Sequence, residues 1–242
     1  VLDNLRKNDV DVSNVIPTRL VSLQTWILTD REGKRRLLTL GSPDAAMSLA
    51  SPTEIDWDAT KKSRIVYIGE VFFEVACMLA SFAKSQGKMV IYRPGIHYLR
   101  LGFRKIHSVL ENTDIFILNH VGWNVLRESS KERMETAADL LKHGPNVIIV
   151  TKGPDGCAVY TREERFNMPV PRDLQARFET LDPTGAGDSF TAGVIKGLLE
   201  GWGLKRAILY GQVAAAITCS RMGATPAFPT SEETESVFKC IK

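Results

Sequence analysis

The stretch Asn146-Val147-Ile148-Ile149-Val150-Thr151-Lys152-Gly153-Pro154-Asp155-Gly156-Cys157-Ala158-Val159-Tyr160 decides the fold. Its first third is nearly pure Val and Ile, residues that favour an extended chain because their branched side chains pack well on a pleated surface. No polar residue alternates with them, so the strand has to be covered on both faces, as strands inside an α/β sheet are. Lys152-Gly153-Pro154-Asp155-Gly156 is a turn by composition, and 157–160 returns as the hairpin partner.

Outward from this strand, short β-branched runs alternate with longer amphipathic stretches. Strands are expected at 20–29, 36–40, 64–68, 89–92, 114–118 and 146–151, and helices at 71–82, 131–141, 187–200 and 204–222. Gly87 and Gly144 close the first two helices, and Pro94-Gly95 breaks the chain after 89–92. Strands alternating with helices imply βαβ units and a largely parallel sheet with helices on both faces. The expectation is one α/β domain over 1–242, three layers deep.

Composition narrows the function. Of 242 residues, 44% are hydrophobic and 24% charged, ordinary for a soluble globular chain. The 31 basic and 28 acidic residues leave a net charge of +3, and the basic clusters at 31–36 and 100–105 are short. A nucleic-acid partner would call for a concentrated basic stripe. No apolar run approaches the roughly 20 residues that span a bilayer, and residues 1–10 do not read as a signal peptide. Cys77, Cys157, Cys219 and Cys240 are far apart, neither a zinc pattern nor a disulfide framework. A cytosolic protein with a small-molecule partner, and no membrane or nucleic acid, is the expectation.

In open α/β sheets ligands bind beyond the carboxyl ends of the strands. One turn leading into a helix stands out: Leu181-Asp182-Pro183-Thr184-Gly185-Ala186-Gly187-Asp188-Ser189-Phe190. Gly185, Ala186 and Gly187 let backbone N–H groups come close together, and the following helix adds its own unpaired N–H groups. Together they suit an anion such as a phosphate. Asp188 would lie beside that anion, placed to take the proton of an attacking hydroxyl. On the residues alone a second reading stands equally well, in which Asp188 caps the helix and the glycines only make a tight turn.

Asp182-Pro183-Thr184-Gly185-Ala186-Gly187-Asp188 resembles the D-x-T-G-A-G-D signature of the ribokinase/PfkB family of carbohydrate kinases. Phe190, Gly193, Gly197, Ala214-Ala215-Ala216, Gly223-Ala224 and Pro229 follow in the family's order, and the similarity runs from about Val10 onward. The resemblance implies a ribokinase-like fold and an ATP- and Mg²⁺-dependent kinase that phosphorylates a hydroxyl of a small sugar or nucleoside. Asp188 would be the general base and Gly185, Ala186 and Gly187 the anion hole. Asp182, Thr184, Thr218, Arg221, Gly223 and Ala227 fall at positions of a monovalent-cation (K⁺) site found in some members; a purely structural turn is the competing reading. Thr151-Lys152-Gly153-Pro154-Asp155-Gly156 is similar to the family's T-x-G-x-x-G nucleotide loop. Asn119 matches the Asn of N-x-x-E facing the phosphates, and Gln212 stands where a residue borders the adenine. Glu70 aligns with a sugar-lining position, helix capping being its alternative.

Three departures from the pattern matter. The family's opening strand and GGxxxN signature are absent, so part of the substrate wall is expected to be missing, with 18–40 a remnant of a small β lid of the kind through which members often form homodimers. Gly122 stands where N-x-x-E has its carboxylate, and Arg93 where the family has the Asp of D-P-N or D-P-G. Both changes remove negative charge near the metal, and Arg93 is expected to meet a phosphate or an acidic substrate group. The alternative that these losses raise is a nucleotide-binding protein without phosphoryl transfer.

Overall fold

The computed structural model describes residues 2–17, 24–29, 35–40 and 51–241. Its main sheet has six strands in the order β3 (Ile65–Ile68), β4 (Met89–Tyr92), β5 (Ile115–Asn119), β6 (Val147–Thr151), β7 (Cys157–Thr161) and β8 (Arg165–Met168). β3 to β6 are parallel, and β7 and β8 return antiparallel. A separate antiparallel ribbon joins β1 (Gln24–Thr29) to β2 (Arg35–Leu40), within the strands expected at 20–29 and 36–40. The positions 18–23 and the turn at 31–34 lie outside the described residues. On the ribbon Trp26, Leu28, Leu38 and Leu40 are exposed.

Ten α-helices are described: α1 (Leu2–Lys7), α2 (Trp57–Lys62), α3 (Phe73–Ser85), α4 (Ile96–Leu99), α5 (Phe103–Leu110), α6 (His120–Ser129), α7 (Arg172–Arg177), α8 (Ala186–Leu199), α9 (Leu204–Cys219) and α10 (Ser231–Phe238). Strand side chains alternate between faces, and the core divides accordingly. Val66, Val90, Tyr92, Phe116, Leu118, Ile148 and Val150 pack with Ala76, Ala80, Ile106, Val109 and Leu126 of α3, α5 and α6. Ile91, Ile115, Ile117 and Ile149 pack on the other face with Phe190 and Val194 of α8 and Ile208 of α9. Each fully buried aliphatic of this kind is worth about 1.5–3 kcal/mol, so the unbroken Val/Ile run of β6 is what two covered faces require.

The helix expected at 131–141 is a correction. The α-helix there is α6, earlier in the chain, and 137–143 forms a 3-10 helix (Ala137–His143) instead. Asn119 starts α6 by accepting the Gly122 N–H at 2.6 Å, a cap strong enough to offset the weak helix formers Val121 and Gly122. The later segment keeps its apolar face buried through Ala137, Ala138 and Leu140, and a capping box between Thr136 and Asp139 fixes its start.

α8 and α9 lie unusually close. A Cβ on Gly193 would sit 2.7 Å from the Gly211 Cα, and one on Gly211 2.6 Å from the Phe190 carbonyl oxygen. The contact braces α8 against α9.

Candidate active site

The carboxyl ends of β3, β4, β5 and β6 deliver Glu70, Arg93, Asn119 and Thr151–Lys152 to one end of the sheet, as parallel strands must. Asn119 and Thr151 are register partners, so the two nucleotide candidates stand side by side. The Asn119 side-chain oxygen is committed to the α6 cap, which leaves its amide N–H groups as the polar atoms to offer a ligand.

The turn before α8 has the built-in features of an anion cradle. Gly185 adopts a left-handed backbone (φ 81°, ψ −7°), which costs little only for glycine. The N–H groups of Gly185 and Gly187 meet no acceptor among the described residues, while those of Ala186, Asp188 and Ser189 bond to Pro183 and Gly185 carbonyls. Asp188 does not cap the helix: the N-cap is Gly185, with no side-chain cap hydrogen bond, and the Asp188 carboxylate is exposed in the first turn. The capping alternative for Asp188 therefore falls away. So does that for Glu70, because the N-cap of α3 is Phe72 without a side-chain bond. Glu70 instead reaches over the chain after β4, its Oε1 2.3 Å from where a Cβ on Gly95 would lie.

Arg93 crosses from β4 to this turn. Its Nη1 donates to Asp188 Oδ1 at 2.7 Å, and its Nη2 lies 2.2 Å from the place of a Cβ on Gly187. Arg93 is 29% exposed and Asp188 60%. In such a wet setting the pair contributes at most about 1 kcal/mol.

Asp182 ties the turn to the loop after α9. Its Oδ1 accepts the Thr184 N–H at 3.0 Å and the Thr184 hydroxyl at 2.7 Å, and its Oδ2 accepts the Gly223 N–H at 3.0 Å. Of the residues expected around a monovalent cation, the structure thus brings Asp182, Thr184 and Gly223 together. Thr218 is different: it is fully buried, its hydroxyl shared with Ser189 and the Ala214 carbonyl and its own carbonyl taken by the N–H groups of Ser220 and Arg221. The Arg221 side chain turns away to pair with Glu233.

On the nucleotide side, Lys152 N–H donates to the Gly156 carbonyl at 2.8 Å and closes the turn between β6 and β7. Gly153 (φ 60°) has open space around it, whereas a Cβ on Gly156 (φ 83°) would lie 2.0 Å from the Met168 carbonyl oxygen. That same carbonyl accepts from Gln212 Nε2 at 2.9 Å. Gln212 is 4% exposed, and its Oε1 is a buried acceptor without a protein donor. It supports the turn from beneath.

Sequence reasoning missed Phe228, whose ring lies 2.6 Å from the place of a Cβ on Gly185, and His97, which shares the space at Gly95 with Glu70. No periodicity marks either one. An aromatic ahead of Pro229, in a loop already expected to return to the site, is the only signal Phe228 offered.

The family model for pfkB family carbohydrate kinases matches residues 1–231. The chain belongs to the pfkB family of carbohydrate kinases. The pfkB chain is therefore a kinase, a transferase, on a ribokinase-like fold. It is 25% identical to a probable fructokinase of Arabidopsis thaliana (fructokinase-5), over 97% of this chain and 76% of the relative. Its fold matches a nucleoside kinase of Methanocaldococcus jannaschii with a TM-score of 0.78 at 20% identity, over 99% of this chain and 75% of the other. It also matches a protein of E. coli described as a putative ribokinase II, in complex with ATP and Mg²⁺, with a TM-score of 0.71 at 23% identity, over 86% of this chain and 68% of the other. Among the described residues no helix is long and apolar enough to cross a membrane, and no three His, Cys, Asp or Glu side chains cluster as a metal cage.

Proposed function

We propose that this pfkB-family chain transfers the γ-phosphoryl of ATP to a hydroxyl of a small sugar or nucleoside, with Asp188 as general base. The observation that carries this reading is the turn itself: two unpaired N–H groups at Gly185 and Gly187 with an exposed, uncapping carboxylate one residue on. The N–H groups bind the phosphoryl oxygens, and Asp188 takes the hydroxyl proton as the oxygen attacks in line. Glu70 faces the acceptor beside His97 and orients its hydroxyls. Asn119, Thr151, Lys152, Gly153 and Gly156 line the nucleotide. Gln212 is buried behind that surface and holds the Met168 carbonyl on which the turn rests.

Gly122 supplies no carboxylate, so the residues present offer Mg²⁺ no cage of their own; the ion fits here as one carried on the nucleotide phosphates, where it neutralises their charge. Asp182, Thr184 and the Gly223 loop are the residues that would hold a monovalent cation. Since Asp182 already accepts three hydrogen bonds there, the ion would add to an existing tie.

The Arg93–Asp188 ion pair adds to the departures at Gly122 and Arg93 in favouring the alternative, a nucleotide-binding protein that leaves its carboxylate neutralised. ATP-dependent ADP release over a panel of hexoses, pentoses, sugar acids and nucleosides decides between them. Turnover with one acceptor class supports the kinase; tight ATP binding with no turnover on any acceptor sinks it.

A further inference from the structure

Arg93 stands where a carboxylate is usual in the family, yet the structure does not turn it to solvent. Its N–H bonds to the Ile68 carbonyl at 2.9 Å and anchors the residue at the end of β4. From there the side chain bridges 95 residues of sequence to reach Asp188, with its Nη2 end against Gly187. An exposed pair of this kind adds little stability, so stability is not what keeps the guanidinium at the turn.

The surroundings suggest a ligand. A guanidinium offers five N–H donors, and the bond to Asp188 uses one. The guanidinium lies at Gly187, whose N–H, like that of Gly185 on the same turn, has no acceptor among the described residues. A competing anion can draw this donor set away from Asp188. The guanidinium touches both the base and the turn, the space through which a phosphoryl group passes between nucleotide and acceptor.

We propose that Arg93 binds the transferring phosphoryl group, held ready over the turn by Asp188 until the γ-phosphoryl arrives. The inference rests on Asp188 being the base of a phosphotransferase. In the transfer, the acceptor O–H bond breaks and its proton passes to Asp188. The acceptor oxygen bonds to the γ-phosphorus, and the bond from that phosphorus to the bridging oxygen breaks, its electron pair leaving on ADP. Arg93 exchanges no atom. It donates hydrogen bonds that strengthen as charge spreads over the equatorial oxygens, positive charge that Gly122 cannot help to gather.

The same donors suit a carboxylate or phosphate on the acceptor, and experiment separates the two sources. Inorganic phosphate is titrated calorimetrically onto the ADP-saturated protein, wild type against Arg93→Gln and Gly187→Ala. The second variant keeps the backbone N–H and the arginine, but its Cβ displaces the guanidinium, a flexible group that can yield without unfolding the turn. The expected result is phosphate binding at least about tenfold weaker in both variants, with ADP affinity within about twofold of wild type. Equal phosphate affinity in wild type and Arg93→Gln, or none in wild type, overturns the proposal. With a neutral acceptor, Arg93→Gln should lower kcat by about 10²–10³-fold at little-changed acceptor KM. An unchanged kcat, with only the KM of anionic acceptors raised, assigns the arginine to the acceptor and contradicts the proposal. A protein that binds phosphate as expected but turns over no acceptor keeps the anion site and loses the phosphotransfer reading.

Discussion

The two glycine turns at the carboxyl end of the sheet are built from different materials. The turn at Gly153–Gly156 is closed by backbone: the Lys152 N–H bonds to the Gly156 carbonyl, and Gly156 passes so near the Met168 carbonyl of β8 that a Cβ would not fit. The turn at Gly185–Gly187 has a backbone bond of its own, from Ala186 N–H to the Pro183 carbonyl, but its surroundings are side chains: the Phe228 ring covers Gly185, the Arg93 guanidinium lies at Gly187, and the Asp182 carboxylate gathers Thr184 and Gly223. A backbone contact cannot open without disrupting the hairpin, whereas a side chain can rotate away. The difference suits a fixed platform under the nucleotide and an adjustable surface where a group is to be transferred.

That comparison breaks most visibly at Gly156. Its backbone conformation is one L side chains rarely adopt, and any Cβ would meet the Met168 carbonyl, so Gly156→Val should cost on the order of 3–5 kcal/mol in urea unfolding. A loss under about 1 kcal/mol would show the hairpin to be as yielding as the other turn. Asp182→Ala removes acceptors of three hydrogen bonds at the side-chain-built turn and should cost about 2–3 kcal/mol. An unchanged melting temperature would mean that the turn does not depend on this carboxylate. Gly153→Ala meets no neighbour and bears only the left-handed backbone, about 1 kcal/mol. Its main effect should be on the KM for ATP; an unaltered KM would remove Gly153 from the nucleotide surface.

The smallest effect lies away from both turns and serves as their baseline. His143 packs against Phe103 and His107. Burial holds its pKa below the ordinary imidazole range, the nearby His107 and Lys142 act in the same sense, and Asp139 and Glu111 oppose them. The unfolded chain therefore takes the proton first as pH falls. This contribution to stability is complete above about pH 6.5 and shrinks below it. Urea midpoints at pH 7.5 and pH 5.5 should converge in His143→Phe; an identical pH slope in wild type and variant would contradict the assignment.

How much of this was legible in the sequence depends on how local each feature is. The Val/Ile run of β6 and the Gly-Ala-Gly turn before α8 carry their reasons within a few residues. α6 was hidden because Val121 and Gly122 are weak helix formers, and the Asn119 cap that offsets them acts through one side chain. The 131–141 stretch has apolar residues at helical spacing, yet only its second half coils, and as a 3-10 helix. β8 was missed because four residues, Arg165-Phe166-Asn167-Met168, give two alternations and no more. The meeting of Arg93 with Asp188 is a product of topology: the sheet aligns the end of β4 with the start of α8, and no local pattern records it.

Whether Asp188 takes a proton from the acceptor is decided by measuring ATP affinity and turnover side by side in wild type and Asp188→Asn. In Asp188→Asn, kcat should fall about 10²–10⁴-fold while ATP affinity stays within a few-fold of wild type. Turnover retained within about threefold would contradict it, because an amide at that position cannot accept the proton.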